Sequence, residues 1–196
     1  MPGLVAPVAD EREGLLAYLA QQRLALRLTA HGLTDDQAWA TPTASSLSIA
    51  GLIKHVARAE RGWMDAVQRR DRERSADNHQ AGFRLEPGET LAGLLEVYDQ
   101  VAKETDAIIA QFADLGQAVP VPQGVAWFPS DVTAWSVRWV LLHLIEEIAR
   151  HAGHADIIRE SLDSATALPL MAAAEGWPAS QWVQPWRADP QNMTVQ

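Results

Sequence analysis

The sequence predicts an all-α fold, a four-helix bundle, and three observations predict it. Four long segments repeat their apolar residues at the helical spacing of three and four. No segment alternates strictly between apolar and polar residues, as a half-buried strand would. Stretches rich in glycine, proline or small polar residues separate the four. With 196 residues, 47% hydrophobic and 21% charged, the chain is long enough to bury a proper core as one domain, 1–196.

The first helix is expected from about Asp10 to His31, on Leu15, Leu16, Leu19 and Leu26, with Gly32 free to take the left-handed turn that stops it. Thr34-Asp35-Asp36-Gln37 is a capping box, opening a short turn that carries Trp39 and ends before Pro42. The second long helix starts at Ser46 or Ser48 and runs to about Arg70, burying Leu52, Val56, Ala59 and Trp63. His55 falls about 60° to one side of Leu52, and Glu60 and Arg61 belong to the solvent side. Residues 71–87 form a long polar loop, a length that is functional or disordered in compact domains.

A third helix follows Gly88, with Leu91, Leu94, Leu95, Tyr98, Thr105, Ile108, Ile109 and Phe112 on one stripe. Residues 116–129 are a Pro- and Gly-rich connection. The fourth helix starts near Asp131 or Thr133 and ends around Asp163, ahead of a linker from Ser164 to Pro169. The extension 164–196 carries Trp177, Trp182 and Trp186, and prolines keep it from being a long helix after Pro178. Three exposed indoles would make an unusually apolar patch, so the tail is expected to pack on the bundle or on a second copy, which suggests a homodimer.

Composition removes several functions. There is no cysteine, hence no disulfide framework, no thiolate metal site and no cysteine nucleophile. Any metal must be held by His, Asp or Glu. A formal charge of −9 argues against nucleic acid, whose binding needs a basic face. No apolar run reaches membrane-spanning length and no signal-peptide pattern opens the chain, so a cytoplasmic protein without membrane contact is expected.

The chemistry concentrates between Trp135 and Glu160. On a helix, with His143 at zero, Glu147 lies near about 40°, His151 near about 80° and His154 near about 20°. Four groups able to bind a metal or move a proton share one stripe, surrounded by apolar residues such as Leu144 and Ile148. Glu147 and His151 can converge on one ion, and His55 from a neighbouring helix can complete two histidines and a carboxylate. Such a set leaves positions open for water or substrate. Glu146, rotated by about 100°, is not expected to reach. Equally, His143 and Glu147 can be a buried hydrogen-bonded pair, and His55 an ordinary core histidine.

The segments LSIAGLIKHVARAERGW (Leu47 to Trp63) and RWVLLHLIEEIARHAGHADIIRESLD (Arg138 to Asp163) resemble the DinB/YfiT-like superfamily of metalloenzymes, in its mycothiol S-transferase-like branch. The tail AAEGWPASQWVQPW (Ala173 to Trp186) resembles that branch too, and Arg150 to Asp156 is the most specific piece. The resemblance implies a metal held by His55, Glu147 and His151, with His143 and His154 behind them as catalytic or ligand-orienting groups. Many superfamily members have histidine where Glu147 stands, and the glutamate matches the thiol-dependent isomerase relatives. The implied cofactors are a divalent metal, zinc first, with nickel, iron or manganese as alternatives, and an external low-molecular-weight thiol of the mycothiol type. The implied activity is transfer of that thiol onto an electrophilic small molecule. The rival expectations are a non-catalytic metal-binding, stress-linked dimer and a hydrolase using the same three ligands.

Overall fold

The computed structural model describes residues 3–70, 81–122 and 128–188. Its elements are α1 (Glu11–Thr29), α2 (Asp35–Trp39), α3 (Ile49–Val67), α4 (Leu91–Ile109), β1 (Ala118–Pro120), β2 (Ala134–Ser136), α5 (Val137–Asp163) and α6 (Ala167–Ala174). Among the described residues the fold is all-α but for one small antiparallel pair, in which Val119 lies opposite Trp135.

Short polar side chains set the helix starts by satisfying backbone N–H groups that the first turn leaves over. Asp10 caps Glu13, Ser48 caps Gly51, Thr90 caps Gly93 and Ser136 caps Trp139. The capping box at Thr34 and Gln37 is complete. α5 therefore begins later than expected, because residues 134–136 pair with β1 first. It stops where Ser164 turns left-handed, at φ 62°.

Contacts along the helices fix their directions. Arg138 meets Glu11 at one end of α1 and α5, while Arg159 reaches the carbonyls of Thr29 and His31 at the other, so the two run parallel. Lys54 meets Glu89, and Arg61 approaches Glu104, making α3 and α4 parallel as well. Arg12 bonds the carbonyl of Ile109 and Arg27 pairs with Asp99, which sets α4 antiparallel to α1. Fully buried Leu19, Leu26, Leu52, Ile53, Leu144 and Ile148 meet in the centre, each contributing about 2 kcal/mol by leaving water.

Two sequence expectations need correction. Glu60 is not on the solvent side: it is fully buried, where both its oxygens accept from the Arg23 guanidinium. A carboxylate is tolerated there because a bidentate partner from α1 neutralises it. The stretch Ser164 to Pro169 is not wholly linker, since α6 starts at Ala167. Pro169 sits in the first turn of α6, where its missing N–H costs nothing.

The tail tryptophans divide between the bundle, which takes Trp186, and the surface, where Trp182 is left for the expected second copy to cover. Trp186 returns to its own bundle, edge-on to His31 and beneath the Arg159 guanidinium at 4.8 Å. Gly32 makes room for it, because a Cβ there would lie 2.6 Å from the indole. Trp177 is half-buried with its N–H on Glu175, and Trp182 is 84% exposed. The expected loop 71–87 is described only from residue 81, and residues 123–127 of the second connection also lie outside the described residues. Among the described residues, no helix is long and apolar enough to cross a membrane.

Candidate metal centre

α3 and α5 cross antiparallel, and the seam between them carries the polar groups the sequence singles out. His55 sits in the second turn of α3, 6% exposed. Glu147 and His151 stand one turn apart on the facing side of α5. Glu147 Oε1 lies 3.1 Å from Nε2 of His55 and 3.4 Å from Nε2 of His151. One ligand atom from each of the three residues falls within 4.8 Å of the other two. Hydrogen bonds, first from His151 and then from His55, hold the Glu147 carboxyl far below the usual carboxylate range, against the opposing pull of burial.

This donor set fits a divalent ion. Tetrahedral bonds of about 2.0–2.1 Å require donor atoms about 3.3 Å apart, close to the separations of Glu147 Oε1 from His55 and from His151. Two imidazoles and one carboxylate are a borderline-to-hard set suited to zinc and its neighbours, with positions left over. Residues one turn apart on α5 can close on an ion by side-chain rotation alone. The fold therefore need not rearrange.

The other two histidines of the stripe behave differently from one another. His154 is exposed, and its Nδ1 lies 3.4 Å from Nδ1 of His151. His143 turns instead into an aromatic stack. Its ring lies 5.1 Å from Trp139 at 15° and meets Trp63 edge-on at 5.0 Å. Trp135 in turn stacks on Trp139 at 4.2 Å, and Phe128 closes the group against Trp135 and Trp63. The carboxylate beside His143 is Glu146, 3.5 Å from its Nδ1. The pairing of His143 with Glu147 that the spacing allows is thus replaced by one with Glu146.

Sequence reasoning missed two neighbours of the site. Phe83 lies face to face with His55 at 4.0 Å and 17°, and edge-on to His151 at 6.3 Å. No periodicity could place it, since it belongs to a connection. The Trp139 stack was legible in principle, because Trp139 stands four residues before His143 and shares its face of the helix.

Comparison with known proteins follows the same line. Residues 14–164 match a family model described as mycothiol-S-transferase. No curated protein matches the sequence. Among the solved structures similar to it is one described as the crystal structure of the conserved protein of locus from Enterococcus faecalis. It shares 13% identity and a TM-score of 0.61, over 81% of this chain and 100% of that one. At that identity the likeness speaks for the fold alone. The family model spans far more than half of the chain, and the protein belongs to the mycothiol S-transferase family of DinB-like proteins.

Proposed function

We propose that the protein is a metal-dependent transferase that places an external low-molecular-weight thiol, of the mycothiol type, onto an electrophilic small molecule. One observation carries the reading: two imidazoles and a carboxylate converge at a helix seam in a chain with no cysteine of its own. The sulfur must then come from a diffusible thiol. A divalent ion held by His55, Glu147 and His151 would supply Lewis acidity, making a coordinated thiol acidic enough to react near neutral pH.

The chain's own residues do the rest. Glu147 brings the negative charge that balances a dication. Phe83 and the Trp63, Trp139 and Trp135 group give the seam apolar walls that limit water. The new bond joins the thiol sulfur to the electrophilic carbon. The thiol proton ends either on the adduct or with the departing group, and His154 or His143 can carry it. Trp182, exposed on the tail, is where the proposed homodimer would form, and sedimentation of the parent beside Trp182→Ala tests that.

The decisive experiment loads the purified chain with zinc and supplies mycothiol, bacillithiol or glutathione with a chlorodinitrobenzene or a maleyl compound. Conjugation that needs both metal and thiol and is lost in Glu147→Ala is the expected result. Release of product from ester or amide substrates without any thiol would point instead to a hydrolase. Zinc binding with no turnover for any thiol would leave a binding protein.

A further inference from the structure

A single face of α3 carries Gly51, Lys54 and His55, at the i, i+3, i+4 spacing that places side chains together. His55 is a ligand in the proposed metal site. The other two serve a different purpose. Lys54 is 5% exposed, and an ammonium is buried only where it is paired and hydrogen-bonded. Its Nζ donates to the carbonyl of Arg84 at 2.8 Å and meets Glu89 at 2.8 Å and Glu86 at 3.2 Å. All three partners belong to the segment between α3 and α4. The residue just before Arg84 is Phe83, whose ring lies 4.0 Å from that of His55.

Gly51 completes the arrangement. A Cβ at this position would lie 2.7 Å from the carbonyl oxygen of Phe83, a separation real side chains do not tolerate. The backbone of Phe83 thus rests on bare helix. A buried lysine that bonds a loop carbonyl, and a glycine that admits the same loop, are separate observations with one consequence. They fix the ring of Phe83 over His55.

We propose that Phe83, held by Lys54 and Gly51, is a positioning residue for the metal ligand His55. An imidazole bound through Nε2 must keep its ring plane and its direction together. A face-to-face neighbour at 4.0 Å blocks rotation of the His55 ring about its last torsion, so Nε2 stays aimed at Glu147 before any ion arrives. The role is usually filled by a carboxylate or carbonyl behind a liganding histidine. Here a ring face takes part in it. The inference rests on the metal-site reading above.

Full-length Phe83→Ala, Phe83→Tyr and Lys54→Met chains test it against the parent, with circular dichroism to confirm that each is folded. Zinc affinity is measured by competition with a chromophoric chelator, and the visible spectrum is read with cobalt in place of zinc. The ring-proton shifts of His55 are measured by NMR in the metal-free chain. Phe83→Ala should bind zinc about ten-fold more weakly, the scale for loss of a group that orients a ligand, and change the cobalt spectrum. It should also lose the ring-current shift on His55. Phe83→Tyr keeps the ring and should match the parent, while Lys54→Met should move toward Phe83→Ala. Parent-like zinc affinity and cobalt spectrum in Phe83→Ala would overturn the inference and leave the metal site standing. A parent chain that takes up no zinc would overturn both.

Discussion

Nδ1 of His151 lies 3.4 Å from Nδ1 of His154, while Nε2 of His151 faces Glu147. Two like nitrogens can share only one proton, so one ring donates and the other accepts. Metal binding through Nε2 of His151 requires the proton on its Nδ1, which makes His151 the donor and His154 the acceptor. In the proposed site His154 would then select the tautomer of His151. His154→Ala should bind zinc about ten-fold more weakly, with the bundle intact. Isothermal titration of zinc into the two chains decides it, and equal affinities would give His154 no part in the site.

Arg159 joins both ends of a longer connection. Nothing of it is exposed, yet its guanidinium donates to Asp163 on its own helix and to the carbonyls of Thr29, which ends α1, and His31 just past it. Its face also supports Trp186. Arg159→Met should cost about 3–5 kcal/mol, because it strands a largely buried carboxylate and two carbonyls. Arg159→Lys should recover little, since one ammonium cannot span both sides. Urea unfolding measures the loss, and a red shift of tryptophan emission before the main transition should report release of Trp186.

What the sequence made legible was angular, and what it hid was the identity of the opposite surface. Leu52, Val56, Leu144 and Ile148 could be placed because a helix of known pitch fixes their directions. Glu147 and His151 could be grouped for the same reason, whereas His55, on another helix, joined them as a candidate that the family resemblance singled out. Glu60 was misassigned because α3 is packed on several sides, and only Arg23, 37 residues away, makes a buried carboxylate acceptable there. His143 shares the stripe of Glu147 and His151, but side-chain torsion sends its ring to Trp139 and Trp63. β1 and β2 have three residues each, too few to show alternation. Phe83 lies in a connection, where no period applies.

Tyr98 supplies a test inside the core. It is 2% exposed and its hydroxyl has no hydrogen-bond partner among the described residues. Burial, reinforced by the charge of Glu60, pushes its pKa far up, so the group is a neutral phenol at every working pH. A buried hydroxyl without a partner costs about 1–3 kcal/mol. Tyr98→Phe removes that cost while keeping the ring, and should raise the melting temperature by about 2–4 °C for each kcal/mol recovered. A fall in melting temperature would mean that the hydroxyl is bonded to an internal water.

Asp156 gives the pH dependence its sign. The carboxyl is half-buried on α5 with Glu160 one turn further on. Burial first, and the negative charge of Glu160 second, push its pKa above the ordinary aspartate value. A carboxyl whose folded pKa is raised binds its proton more tightly in the native state than in the unfolded chain. Its ionised form therefore destabilises the fold, fully so above the folded pKa. The penalty disappears as pH falls below the unfolded value of about 3.9. Asp156→Asn keeps the shape and removes the charge, so it should melt higher than the parent at pH 7. The gap should close on acidification toward pH 4 and be gone below it. Calorimetry of both chains from pH 7 down to pH 3.5 follows the difference. A gap that is constant across that range would show that the asparagine acts through packing and that the carboxylate charge is not what the fold opposes.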